Sequence, residues 1–346
     1  MPQSTLPRKR FLVTTALFLL AAAGVAGALR AQSTRPAAAL PVPPAIFDEM
    51  AVPADNPTTV EKVELGRMLF FDKRLSGDGK RACYTCHLNE YGLTDGKATA
   101  VGSFGKALTR SSPTLWNVGW QREFYWGGRA SSLEAQALGA WKGANMGANP
   151  DVIAGKLNRM PGYSKRFQAV FGGPATPERV TQAIASYERT IFCADTRFDR
   201  AQGGDADAMT AQEQRGYELF RGKASCTSCH VGGLLTDTLY HNVGIGMSSA
   251  TPDVGRRKVT GDEKETGAFK TPTLRDITRS GPYFHDGSVK SLREAVKLMA
   301  GGGIENEWLD RENLKDRQLT EAELDDLVAF LGALECKGKL EAPRLP

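Results

Sequence analysis

Cys83-Tyr84-Thr85-Cys86-His87 and Cys226-Thr227-Ser228-Cys229-His230 lie 143 residues apart in a chain of 346 residues. Each has the Cys-x-x-Cys-His spacing that attaches a c-type haem: the two thiols add to the haem vinyl groups and the histidine that follows becomes the proximal iron ligand. A structural zinc site would need further Cys or His beside each pair, and a thioredoxin-type dithiol lacks the trailing histidine. Two such motifs imply two covalently bound haems and redox chemistry at iron.

Working outward, the same local pattern precedes both motifs. Thr58-Thr59-Val60-Glu61 has a capping-box pattern, and Gly66 and Leu69-Phe70 follow on a helix that runs toward the first motif. Gly216 and Leu219-Phe220 repeat Gly66 and Leu69-Phe70 150 residues later, and Thr210-Ala211-Gln212-Glu213 repeats the box ahead of them. The repeat predicts two homologous haem domains, residues 58–204 and 205–346, with a boundary near Gly203-Gly204-Asp205. Helical periodicity recurs from Pro177 to Ile191 (Val180, Ile184, Tyr187, Ile191) and after Thr320…Glu323 (Leu324, Leu327, Val328, Leu331), whereas no alternating strand run of useful length appears. The expected fold is mostly α, with two cytochrome c-like haem domains and long connecting loops.

Arg8-Lys9-Arg10, an apolar run from Phe11 to Leu29 and Ala31 form the three-part pattern of a secretory signal over residues 1–31, although a run of this length can also serve as a membrane anchor. Residues 32–57 are Pro- and Ala-rich without apolar periodicity and read as an extended tether, with folded structure starting at Thr58. Export and thioether-bound haem agree on an oxidising compartment, the periplasm. There the two remaining cysteines, Cys193 and Cys336, pair by default as a disulfide, the alternative being two buried thiols. The formal charge of +5 includes Arg8, Lys9, Arg10 and Arg30, so 40 basic residues face 39 acidic ones in the mature chain. No basic stripe suggests nucleic acid.

Further motifs carry a resemblance to a known family. Ser112-Pro113-Thr114-Leu115-Trp116-Asn117, Trp126-Gly127-Gly128-Arg129, Phe192 to Arg200, His241-Asn242-Val243-Gly244, Thr271-Pro272-Thr273-Leu274-Arg275 and Gly281-Pro282-Tyr283-Phe284-His285-Asp286-Gly287, with the two haem motifs, resemble the bacterial dihaem cytochrome c peroxidase and MauG superfamily over residues 58–335. The resemblance implies that peroxide reacts at the first haem and that the second, of higher potential, relays electrons from a small periplasmic cytochrome c or cupredoxin. Met299 falls where the peroxidases place the second haem's methionine ligand, a position that is tyrosine in MauG. Read from periodicity alone, Met299 is a core residue on the Leu292, Ala295, Val296, Met299 face. Trp126 matches a tryptophan placed between the haems, and Gln136 a glutamine beside the peroxide-binding face; alone they read as a buried anchor and a solvent-facing residue after a Ser131…Glu134 box.

The chain also departs from that pattern. Ser103 stands where typical peroxidases carry a loop histidine that caps the resting first haem, which is therefore expected to be five-coordinate or water-bound. The distal glutamate has no counterpart in Gly143-Ala144-Asn145-Met146-Gly147, where Asn145 or Met146 aligns and neither titrates. The family's interdomain calcium ligands map to Ser111, Ser280 and Pro282, and His241 and His285 to groups that contact propionates or loops. Family members are often dimers, so a homodimer is one expectation. Three functions follow in order: a periplasmic peroxidase reducing hydrogen peroxide, a MauG-like oxidase modifying a partner protein, and a non-enzymatic electron carrier.

Overall fold

The computed structural model describes residues 1–3 and 39–346. The predicted signal, apart from its first three residues, and the start of the tether lie outside the described residues. Residues 39–346 form one compact unit. Its helices are α1 (Val60–Phe71), α2 (Leu133–Lys142), α3 (Pro150–Asn158), α4 (Pro161–Phe171), α5 (Pro177–Glu188), α6 (Arg197–Gln202), α7 (Ala211–Arg221), α8 (Arg257–Thr260), α9 (Leu292–Ala300) and α10 (Glu321–Gly332). Two-residue strands β1 (Tyr240–His241) and β2 (Phe269–Lys270) pair antiparallel. The chain is mostly helical, as expected.

Two helix crossings organise the unit, α1 on α5 and α7 on α10. A Cβ on Gly66 would lie 1.9 Å from the Ala183 carbonyl oxygen, and one on Gly216 would lie 2.0 Å from that of Asp326. Only glycine lets these backbones approach so closely. The repeat read from α1 and α7 thus extends to their partners: Ala183 and Tyr187 of α5 match Asp326 and Phe330 of α10. One hydrophobic cluster surrounds Leu69, Phe70, Leu157, Phe167 and Val180, and another surrounds Phe220, Leu327, Phe330 and Leu334.

A third repeat, at 159 residues, relates the loops that follow the haem motifs. Asn117 and Asp276 are both left-handed (φ 60° and 62°), as are Tyr125 and Phe284 (68° and 70°). Isolated bridges Phe124–Ala130 and Tyr283–Val289 correspond. So do Ser132 and Ser291, which cap α2 and α9 through their side-chain oxygens. The offsets differ because the intervening loops differ in length.

Several local expectations shift. α1 is capped by Thr59, not Thr58, with Lys62 at the third helical position; the Lys62 ammonium donates to Asn56 Oδ1 (2.8 Å) and the Pro57 carbonyl (2.7 Å). Ser132, not Ser131, caps α2, and Glu134 is then free to accept from Asn56 and Arg189. The boxes at Thr210 and Thr320 form as read. Residues 39–57 carry no helix or strand, yet the folded body begins before Thr58: Phe47 is buried against Trp120 and Arg275, and Asn56 is buried against Lys62. Cys193 and Cys336 are disulfide-bonded, with Cα atoms 5.4 Å apart, tying the end of the chain to the first hydrophobic cluster.

Candidate functional site

Each Cys-x-x-Cys pair sits on a 3₁₀ turn, Cys83–Thr85 and Cys226–Ser228, with its thiols unbridged. The ring Nδ1 of His87 is 2.9 Å from the Leu93 carbonyl, and that of His230 is 2.9 Å from the Leu235 carbonyl. Leu93 and Leu235 both adopt left-handed backbone (φ 61° and 53°), which turns the chain back over each histidine. A carbonyl partner fixes the proton on Nδ1 and leaves the Nε2 lone pair for a metal. Burial favours the same neutral ring, lowering His87 to about 4 and His230 in the same direction. It also raises the thiols of Cys83 and Cys86, and pushes Cys226 up to about 12. Paired thiols, an oriented imidazole and, at the first motif, a cavity of about 1140 Å³ fit a haem.

That cavity is lined by Cys83, Cys86 and His87 on one side and by Gln136, Ala137 and Ala140 of α2, with Asn145 and Met146, on another. The structure therefore brings Gln136 and both candidates for the missing glutamate to the haem cavity, and neither Asn145 nor Met146 can titrate. Ser103 does not line it. Its N–H donates to the Ala144 and Asn145 carbonyls (3.1 Å each) and its Oγ to the Met146 carbonyl (2.8 Å). The loop at 102–103 is thereby fastened to the turn at 144–147.

Trp126 also lines the cavity, where its indole N–H donates to the Ser111 carbonyl (3.0 Å) and its own carbonyl accepts from the Lys270 N–H (2.9 Å). It is held from both sequence halves. Around it Arg110 forms a bidentate pair with Asp253 (2.7 and 2.8 Å), and Ser111 N–H donates to the His285 carbonyl (2.7 Å). Ser111, Ser280 and Pro282 all line this cavity. Their oxygens are neutral, and both hydroxyls already donate, Ser111 to the Phe284 carbonyl (2.9 Å) and Ser280 to the Ile277 carbonyl (3.2 Å). Without a carboxylate the set is a poor match for Ca²⁺.

Near the second motif, Leu292 and Val296 of α9 pack on the hydrophobic cluster that Cys226 also touches. Met299 is half-buried one turn on. By the 159-residue repeat, Met299 occupies the place of Ala140. One scaffold position thus carries a thioether in one half and a methyl group in the other. His241 sits between Asp237 (3.0 Å) and Asp310 (2.5 Å), two carboxylates that favour its protonated ring. His285 is buried, stacks on Phe269 with ring centroids 3.6 Å apart, and is lowered to about 4 by burial. Its repeat counterpart is Trp126.

One cavity residue was missed at the sequence level. Glu188, the last residue of α5, is 4% exposed and lines the first cavity, and its Oε2 has no hydrogen-bond partner. Burial pushes its carboxyl up to about 8. The signal was present: Val180, Ile184 and Glu188 follow i, i+4, i+8, which puts an acid on an otherwise apolar stripe.

The model of the di-haem cytochrome c peroxidase family matches residues 60–207, and that of cytochrome c matches residues 213–335. A cytochrome-c peroxidase, IdrP1, of Denitromonas iodatirespirans is 39% identical over 343 residues, covering 88% of this chain and 89% of its own. The methylamine utilization protein MauG of Methylorubrum extorquens is 39% identical over 300 residues, covering 85% and 84%. Among solved structures, a MauG-like protein associated with microbial copper homeostasis superposes with a TM-score of 0.80 at 32% identity, covering 88% of this chain and 97% of that one.

Proposed function

The chain belongs to the di-haem cytochrome c peroxidase and MauG family and carries two haems, and from that premise we propose that it is a peroxidase reducing hydrogen peroxide to water with electrons from a small cytochrome c or cupredoxin. Cys83 and Cys86 would hold one haem by thioethers with His87 as its proximal ligand, and Cys226 and Cys229 would hold the other with His230. When bound, the haems supply the redox chemistry; the protein sets ligation, access and the proton path.

The observation that carries the reading is Met299 against Ala140. Met299 would supply a thioether ligand to the haem that Cys226, Cys229 and His230 would hold, and such ligation would raise its potential, which suits an electron relay. Ala140 offers no ligating atom at the equivalent place in the cavity lined by His87 and Gln136, which would leave room there for peroxide. Residues 58–204 form the proposed peroxidatic half and residues 205–346 the electron-transfer half. Trp126, tied to both, is the proposed aromatic bridge, and Gln136 orients the bound peroxide. Asn145 offers an amide that binds but does not titrate.

Among the described residues, no helix is long and apolar enough to cross a membrane. The proposed location is the periplasm, supported by the haem motifs, the disulfide and the N-terminal pattern. Ser111, Ser280 and Pro282 are the proposed calcium site, a weak one, which calcium titration of chelator-treated protein tests. Dimerisation is tested by sedimentation.

Stopped-flow mixing of fully oxidised protein with hydrogen peroxide, then with reduced small cytochrome c, tests the function. Rapid spectral change followed by donor oxidation is expected; no change in either the oxidised or half-reduced protein would leave an electron carrier. A MauG-like oxidase is the second reading, favoured by 39% identity to a MauG and opposed by Met299.

A further inference from the structure

We propose that Glu188 is the proton-donating residue of the first haem cavity, supplying the acid function that Asn145 and Met146 cannot; this rests on the peroxidase reading above. Four observations converge on it. Glu188 is 4% exposed, and its Oε2 finds no hydrogen-bond partner in the protein, an arrangement that is costly for a neutral acid and more so for a charged one. A buried polar atom left unpartnered calls for an explanation, and a catalytic role is one.

The carboxyl faces the cavity that holds Cys83, His87 and Gln136. Among the described cavity-lining residues the other acid is Asp253, and Arg110 engages both its oxygens. Glu188 is therefore the acid there that no ion pair consumes. The internal repeat adds an independent argument. With Ala183 and Tyr187 matching Asp326 and Phe330, Glu188 matches Leu331, which is 5% exposed in the apolar cluster of the other half. The scaffold is content with leucine at this position. A carboxyl replaces it in the half assigned to peroxide, and not in the half assigned to electron relay.

The overall reaction is H₂O₂ + 2 H⁺ + 2 e⁻ → 2 H₂O. The O–O bond breaks, two reduced donors each lose one electron, and both protons come ultimately from solvent. Glu188 passes one of them from its carboxyl O–H to a peroxide oxygen and is then reprotonated. Burial keeps the acid protonated at neutral pH, against the pull of Arg189 and with the support of Glu134. Tyr125 and Tyr187 are the other titratable groups that sense its charge. A carboxylic acid titrating near working pH is suited to general acid catalysis.

The test compares holoenzymes of wild type, Glu188→Gln, Glu188→Asp and Glu188→Leu. Expected is a fall of about 10²-fold or more in kcat/KM for peroxide in the Gln and Leu variants at unchanged haem content, with partial rescue by Asp. Wild-type kcat/KM should fall as pH rises past about 8, where the acid ionises, and this limb should vanish in Glu188→Gln. A readout independent of turnover is the infrared carbonyl band of a protonated carboxyl at pH 7, present in wild type and absent in Glu188→Gln. A Gln variant within twofold of an active wild type overturns the proposal alone, whereas a wild type inert to peroxide overturns both readings. Where Glu188→Gln fails to take up haem, a flat wild-type profile from pH 6 to 9, or no such band, still overturns the proposal.

Discussion

Replacing Gly66 by alanine tests whether the repeated helix crossing builds the haem cavity. The new Cβ would stand 1.9 Å from the Ala183 carbonyl oxygen, and that oxygen belongs to helical backbone that cannot swing aside. Reaching an ordinary contact near 3.4 Å requires α1 and α5 to separate by about 1.5 Å. A gap of 0.5–1 Å already forfeits roughly a quarter to a half of each dispersion well along the facing surfaces. Overpacking of this kind costs about 3 kcal/mol, while the better helix propensity of alanine returns about 1 kcal/mol. The net loss is about 2 kcal/mol. Because Gly216 faces Asp326 at 2.0 Å, Gly216→Ala should cost the same in the other half. Urea unfolding of the holoprotein, followed by far-ultraviolet circular dichroism and by the Soret band, measures both. Gly66→Ala should also disturb the first haem selectively, since Ile184 and Glu188 of α5 line its cavity. A loss below about 0.5 kcal/mol in either variant would refute the argument that glycine sets these crossings.

Arg275 is 1% exposed and donates both terminal nitrogens to Asp199 at 2.8 Å. Arg275→Met should lower stability in urea by about 3–5 kcal/mol, because it strands a buried carboxylate. Although burial opposes it, Arg275 holds the Asp199 carboxyl below its usual range. The pair's contribution is therefore complete above the unfolded pKa near 4 and is lost as pH falls through the lower folded value, which an acid titration of wild type against Arg275→Met reads out. Replacing Cys193 and Cys336 together by serine opens a 143-residue separation and should cost about 2–5 kcal/mol by the same unfolding assay, with haem content unchanged. Met299→Leu should lower the potential of the His230 haem and leave the other unmoved in a spectroelectrochemical titration.

Much of this architecture is legible in the sequence because its cause is local. The haem motifs are fixed by covalent chemistry over five residues, and the boxes at Thr210 and Thr320 by a hydroxyl and a carboxylate three residues apart. Where two registers satisfied one pattern, tertiary contacts decided. Thr59 rather than Thr58 caps α1 because Lys62 finds acceptors at the buried Asn56 side chain and the Pro57 carbonyl, and Glu134 leaves its box for Asn56 and Arg189. The docking of Phe47 was hidden because one aromatic in a Pro-rich stretch has no period. Glu188 was hidden differently: its place on an apolar stripe is visible, but which side of α5 faces a cavity depends on residues more than fifty positions away.

The fastened loop at Ser103 bears on whether the first haem must be activated. In the family pattern a histidine here caps the resting haem; simple substitution at a mobile loop would make Ser103→His a restoration of that cap. The structure argues otherwise. Ser103 is 2% exposed, its hydroxyl is spent on the Met146 carbonyl and its N–H on the turn at 144–145. Gly102 packs so tightly that a Cβ there would lie 2.0 Å from the Ala144 carbonyl oxygen. A histidine at position 103 would start from a side-chain direction that leads into this turn, not into the cavity, and bringing it to the iron would break each of those contacts. Ser103→His is expected to lose about 1–3 kcal/mol of stability through overpacking and lost hydrogen bonding, yet still to react with peroxide in the fully oxidised state. Electron paramagnetic resonance of the oxidised variant reads the ligation directly. A new low-spin bis-histidine signal, with reactivity appearing only after one-electron reduction, would show that the loop is free to swing and that its hydrogen bonds do not hold the site open.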